Sequence, residues 1–147
     1  MKRATYGSRK YLHGLCHTFA LALHQLFGYQ LAYLEDLDRS LINDRSMDIY
    51  PYIPHVFCVK NGYIIDARGV RNAGTMIRES GKFPIKNGQI HTTDVRFLIN
   101  SRHFKEEYAP VKQSDLVEAK EFILKHRRKY QVPSPKRRLP FVATGTR

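Results

Sequence analysis

The densest apolar stretch of the chain is Leu15 to Phe27, LCHTFALALHQLF, followed at once by Gly28. Leu15, Phe19, Leu23 and Phe27 recur at helical spacing, and Ala20, Leu21, Ala22 and Leu26 extend the apolar surface almost all round. Only His17, Thr18, His24 and Gln25 interrupt it. The pattern predicts a helix buried at the middle of a fold and ended by Gly28 in the C′ position. Gly14 marks a loop just before it, so Cys16 falls in the first helical turn, and His17 and His24 form its more exposed stripe. Gln30 to Leu34 then reads as a short strand. Leu37 to Pro54 is polar and turn-rich, which predicts an irregular segment closed by Pro51 and Pro54.

The clearest local signal is a β-hairpin. His55-Val-Phe-Cys-Val-Lys60 and Tyr63-Ile-Ile-Asp66 flank Asn61-Gly62, the favoured pair for a two-residue type I′ turn. Gly69 to Asn87 is glycine-rich and mixed in character. Gln89 to Thr92 and Val95 to Asn100 have the composition of two further strands. Asp115 and Glu118 have capping-box spacing and predict a second helix to about Lys129, with Leu116, Ala119, Phe122 and Ile123 as its inner face. Pro133, Pro135 and Pro140 then break the chain into an extended tail. The order of helix, antiparallel strands and helix argues for α+β, with the buried N-terminal helix packed on an antiparallel sheet. The expected organisation is one domain over residues 1–130 and a Pro-rich basic tail over 131–147.

A two-residue turn fixes the hairpin register, and the register has chemical consequences. Lys60 faces Tyr63, Val59 faces Ile64, Cys58 faces Ile65 and Phe57 faces Asp66. Alternation then puts His55, Phe57, Val59, Ile64 and Asp66 on one face, with Asp66 diagonal to His55. The rest of that face is apolar, as expected if it packs on the helix that carries Cys16, and one such contact would bring Cys16, His55 and Asp66 together. A carboxylate beside an imidazole holds its tautomer and stabilises its charged form. A free thiol, with a pKa of about 8.5, is mostly protonated at neutral pH, and a helix start and a neighbouring imidazolium both favour the thiolate. Taken singly, Cys16 is a small buried hydrophobe, His55 a core or edge histidine, and Asp66 a turn cap. Jointly, in this register, they have the makings of a nucleophile, an acid–base group and the residue that orients it.

Charge changes the picture at the ends only. The 147 residues carry 25 Lys and Arg against 13 Asp and Glu, a net charge of +12. Residues 1–10 and 125–147 hold four and eight cations with no acid, so residues 11–124 balance at 13 against 13. Basic ends of this kind suit contact with a polyanion, either nucleic acid or an anionic membrane surface, or simply aid solubility. Lys136, Arg137 and Arg138 form the expected anion-binding group of the tail. The alternative function they raise is nucleic-acid binding, with Tyr6, Tyr11 and Tyr130 as stacking groups. The hydrophobic share of 42% excludes a disordered chain, and the two cysteines are too few for a disulfide framework. No apolar run is long enough for a membrane span and no signal-peptide core follows Met1, so the expected resting place is the cytoplasm. Cys16, His17, His55 and Cys58 have the atom types of a zinc site, but the register turns Cys58 away from His55, so no metal or other cofactor is expected. His91 and Asp94 belong to a turn.

Gly14-Leu-Cys-His-Thr-Phe-Ala-Leu-Ala-Leu23 and His55-Val-Phe-Cys-Val-Lys-Asn-Gly-Tyr-Ile-Ile-Asp-Ala-Arg-Gly69 together resemble the papain-like cysteine-hydrolase superfamily. The likeness covers about residues 12–69 and is closest to the compact bacterial NlpC/P60-like and transglutaminase-like branches. It implies Cys16 as nucleophile, His55 as general acid and base, and Asp66 as the residue orienting His55. These families include peptidases, amidases, deamidases and transglutaminases, with small toxin and effector enzymes among them, so the implied partner is a peptide or protein substrate. The papain branch places a Gln before the Cys to help bind the oxyanion, and no Gln precedes Cys16 here. Tyr11, His13 or the backbone N–H of Cys16 would have to serve instead.

Overall fold

The computed structural model describes residues 14–42, 45, 47, 49–80, 84–100 and 108–133, together with Tyr11. The expected α+β class is what it shows. Helix α1 runs Cys16–Phe27 and stops where Gly28 takes a left-handed φ of 74°, its N–H returning to the His24 carbonyl at 2.8 Å. Five strands follow: β1 (Gln30–Ile42), β2 (Ile49–Lys60), β3 (Tyr63–Asp66), β4 (Gly69–Arg71) and β5 (Gly88–Thr92). They form one sheet in the order β4-β3-β2-β1-β5, antiparallel throughout. Helices α2 (Ala73–Glu79), α3 (Val95–Asn100) and α4 (Gln113–Lys125) complete the described elements, and a 3₁₀ turn covers Arg127–Tyr130.

The Asn61-Gly62 hairpin forms in the expected register. Asn61 and Gly62 have φ of 52° and 83°, and Cys58, Val59 and Lys60 pair with Ile65, Ile64 and Tyr63. Ala67-Arg68 makes a second two-residue turn, so that Asp66 pairs with Gly69 and Ile64 with Arg71. Gly69 suits its place, with a φ of 112° and the Lys129 carbonyl oxygen 3.3 Å from where a Cβ would stand.

The sheet is covered on both faces, which corrects one expectation. Helices α1 and α4 pack on the side of Val56, Cys58 and Ile65, around an aromatic group of Tyr11, Phe19, Phe122 and Tyr130. The opposite side, with Phe57 and Ile64, is covered by Met76 of α2 and by Ile77, Ile85 and Ile90. So α1 lies against the face of Cys58 and not, as expected, against that of Phe57 and Val59. Both faces of this hairpin are apolar, so alternation separates them without saying which one meets α1.

Three segments differ from the sequence-based reading for identifiable reasons. The stretch expected to be irregular is the far half of a β1–β2 ribbon, in which Ser40, Leu41 and Ile42 pair with Pro51, Tyr50 and Ile49. Residues 37–40 are exposed in succession, with neither face of the ribbon packed on a core there, so no apolar–polar alternation marks the strand. Val95–Asn100 is helical, not a strand: the Asp94 carboxylate accepts the Phe97 N–H at 2.9 Å, and that cap outweighs the β-prone composition. Helix α4 starts at Gln113 after Lys112, so Asp115 lies in its first turn instead of capping it. Its inner face is as expected, with Leu116, Ala119 and Ile123 buried and Phe122 packed against the same core.

Candidate active site

Cys16 is the first residue of α1, and Leu15 before it supplies no side-chain cap. The Cys16 side chain is nevertheless enclosed, at 4% exposure, with Gly14 exposed and Leu15 half-buried just upstream. His55 lies on β2 at an irregularity, where Leu34 and Asp36 of β1 are paired with His55 and Tyr52, three residues apart. That extra residue is a β-bulge. It explains why Ile53 and Val56, an odd and an even position, both join the α1-side core. The β2–β3 pairing stops at Cys58 and Ile65. His55 thus stands beyond the last β3 pair, where its ring is within reach of groups from both layers.

Two partners meet the ring there. His55 Nε2 and Asp66 Oδ2 are 2.8 Å apart in a buried hydrogen bond, the diagonal contact expected from the register. The Cys16 side chain is the ring's second neighbour, and its proximity helps to raise the imidazole pKa. With Nε2 committed to Asp66, the nitrogen left for the thiol is Nδ1. The structure therefore brings Cys16, His55 and Asp66 together from three separate elements. The route differs from the expected one: α1 covers the other hairpin face, and the meeting occurs at the bulge.

Asp66 is held from several sides. Its Oδ1 accepts the Arg68 N–H at 2.9 Å, and its Oδ2 accepts both His55 Nε2 and Arg71 Nη2, each at 2.8 Å. Burial alone would raise its pKa, but the bond and charge of His55, then the Arg71 charge and the Arg68 N–H, bring it below the ordinary carboxylate value. Burial likewise works against a charged His55, yet the bonds to Asp66 and Cys16 outweigh it and push the imidazole up to about 9. Behind this corner the Tyr130 hydroxyl donates to the Ala67 carbonyl at 3.0 Å, and the Tyr29 hydroxyl donates to the Tyr130 carbonyl at 2.9 Å. The C-terminal 3₁₀ turn so fixes the turn that aims Asp66.

These pKa directions carry a stability prediction. The raised His55 contributes fully below its ordinary value of 6.5, and that contribution fades as pH rises through about 9. The lowered Asp66 contributes above its ordinary 3.8 and is lost as pH falls through its lower folded value. The pair therefore stabilises most between about pH 4 and 6.5. Urea unfolding of wild type and Asp66→Asn should differ by on the order of 3 kcal/mol near pH 6. The gap should narrow as pH rises from about 6.5 to 9, and a gap that stays constant from pH 6 to 10 would contradict the coupling.

The other expected site residues fall elsewhere. Tyr11 is a core residue, its ring 4.8 Å from Phe19 and 5.7 Å from Phe122. Burial, then the charges of Glu118 and Asp115, push its phenol up to about 12. It belongs to the α1–α4 interface, not to the oxyanion side of Cys16. Tyr11 and Tyr130, at 2% and 0% exposure, are also too enclosed to stack on bases. His17 is fully buried, its Nε2 donating to the Ala109 carbonyl at 2.7 Å, which corrects its place on an exposed stripe. His91 pairs with Glu35 at 2.8 Å, away from the Cys16 corner. Cys58 donates to the Ala20 carbonyl at 3.3 Å within the core, and burial pushes its thiol up. Among the described residues no group of three or more His, Cys, Asp or Glu is placed to hold a metal ion. His13, Tyr6, Lys136, Arg137 and Arg138 lie outside the described residues. Among the described residues, no helix is long and apolar enough to cross a membrane.

Arg71 is the site residue that sequence reasoning missed. The signal was present: a tight turn at Ala67-Arg68 places Arg71 diagonal to Asp66, as the Asn61-Gly62 turn places His55 on its other flank. Comparison of the chain with protein-family models, with curated proteins and with solved structures finds no match.

Proposed function

We propose that the protein is a cysteine-dependent hydrolase or acyl transferase acting on an amide bond, with a peptide or protein as substrate. The observation that carries this reading is the buried His55, bonded through Nε2 to Asp66 and partnered on its other side by Cys16. A histidine that serves only packing needs neither a carboxylate that keeps it charged nor a thiol beside it. The order of helix-start Cys, strand His and next-strand Asp is also that of the papain-like hydrolases, which the sequence resembles.

The chemistry follows from these positions. His55 stays protonated to about pH 9, so a Cys16 thiolate has a cationic partner throughout the neutral range. The thiolate adds to the carbonyl carbon of the substrate amide, and the carbonyl oxygen takes the negative charge. The Cys16 N–H, at a helix start without a side-chain cap, is the backbone donor we assign to that oxygen. His55 then gives its proton to the amide nitrogen, the C–N bond breaks and the amine leaves. A thioester on Cys16 remains. Water attack, with His55 taking the proton, gives hydrolysis, whereas attack by an amine gives acyl transfer. Asp66 keeps the imidazole in one tautomer and stabilises its cation at both steps.

The thioester is the testable species. The full chain would be incubated with a glutamine-containing peptide pool and with peptide anilides, quenched in acid within one turnover, and mapped by mass spectrometry. The expected result is an acyl adduct on Cys16, with ammonia or an amine released. Amide turnover without any adduct on Cys16, or with the adduct on Cys58, would overturn the assignment.

A further inference from the structure

Asp66 has more to do than point at His55, because it is buried. A carboxyl enclosed at 3% exposure tends to keep its proton, and a neutral Asp66 would not support an imidazolium. The countercharge comes from β4. Arg71 donates Nη2 to the same Oδ2 that His55 uses, at 2.8 Å, and its side chain is only 15% exposed. Its Nη1 is tied to Glu79 at the end of α2. Its Nε is buried without a hydrogen-bond partner among the described residues, a cost that an ordinary surface ion pair does not carry. The register explains the fit: β3 is flanked by β2 and β4, so Asp66 reaches diagonally to His55 on one side and to Arg71 on the other.

We infer that Arg71 is a positioning residue of the proposed Cys16-His55-Asp66 site, clamping the Asp66 carboxylate onto His55 and keeping it ionised; this rests on the thiol-hydrolase reading above. The clamp acts through geometry as well as charge. Oδ1 is fixed by the Arg68 N–H and Oδ2 by Arg71, so the carboxylate cannot rotate away from the imidazole. The charged and titratable groups around Asp66 are His55 from β2, Arg68 from the turn, Arg71 from β4, and Lys129 and Tyr130 from the 3₁₀ turn, with Cys16 on the far side of His55 and Glu79 behind Arg71. Lys129 is partly desolvated, which lowers its own pKa, and Arg68 contacts Asp66 through its backbone. Arg71 is thus the one guanidinium among the described residues bonded to Asp66.

The experiment is the pH profile of Cys16 alkylation by iodoacetamide, read by peptide mapping on the folded chain, for wild type, Arg71→Met, Arg71→Lys and Asp66→Asn. In Arg71→Met, the acid limb should move up by about one pH unit, since a neighbouring opposite charge of this kind depresses a carboxyl by roughly 1–3. Arg71→Lys restores the charge and should return at least half of that movement. A merely structural arginine would lower the melting temperature and leave the limb where it was. If Arg71→Met does not fold, Arg71→Gln carries the same expectation. A folded Arg71→Met or Arg71→Gln with an unmoved acid limb overturns the inference. Asp66→Asn separates the two levels: a limb unmoved by Asp66→Asn as well defeats the triad itself, whereas a limb moved by Asp66→Asn alone defeats only the role of Arg71.

Discussion

Cys16→Ala should abolish amide turnover, a loss of at least about a thousandfold, while Cys58→Ala leaves turnover intact. The two thiols are similar in burial and opposite in setting. Cys16 opens α1 next to the exposed Gly14 turn and has His55 as its partner. Cys58 lies within the core, donates to the Ala20 carbonyl, and is pushed up by burial. The structural costs run the other way. Replacing Cys16 by Ala removes one atom at a helix start and favours helix formation, so stability should change little. Replacing Cys58 leaves a small void under α1 and removes the weak thiol bond to the Ala20 carbonyl, at about 1 kcal/mol. Iodoacetamide at pH 6–7 should accordingly label Cys16 first. Labelling of Cys58 before Cys16, or turnover that survives Cys16→Ala, would remove the nucleophile from the scheme.

What the chain discloses depends on how local the determinant is. The Asn61-Gly62 pair dictates a turn whose two central residues need positive φ, and from that turn the His55–Asp66 contact follows by counting. The helix at Cys16–Phe27 and its stop at Gly28 are equally local. Nothing local says which hairpin face meets α1, because Val56, Cys58 and Ile65 are no more apolar than Phe57, Val59 and Ile64. The bulge before His55 is invisible for a related reason: it is set by a mismatch between two strands, Leu34–Asp36 against Tyr52–His55. That bulge lets a His from one face meet a Cys from the layer on the other. The trio was therefore legible through its register, and the packing that unites it was not. Val95–Asn100 shows the opposite hierarchy, since a single cap from Asp94 overrides the β-prone Val95, Phe97 and Ile99.

The division of labour between the two faces of β3 can be tested by exchanging its last two residues. Ile65 lies in the α1-side core at 0% exposure, and Asp66 points to the His55 and Arg71 side. Asp66→Ile alone should end turnover and leave His55 and Arg71 without their shared anion. Its stability cost should be about 3 kcal/mol, as for breaking a buried ion pair by removing one partner. Adding Ile65→Asp restores the composition but not the arrangement. The carboxylate would then face Val56, Cys58 and Ala20, where the described residues offer no cation, and the buried isoleucine would be lost as well. A further 3–5 kcal/mol, roughly, is expected for that step, from an unpaired buried charge and a missing apolar side chain. Since a domain of this size is held by only about 5–15 kcal/mol, the doubly exchanged chain should be largely unfolded at room temperature, by circular dichroism and urea titration. Equal stability of the exchanged chain and of Asp66→Ile would mean that the two faces of β3 are interchangeable. In that case the register could not be what selects Asp66 as the partner of His55.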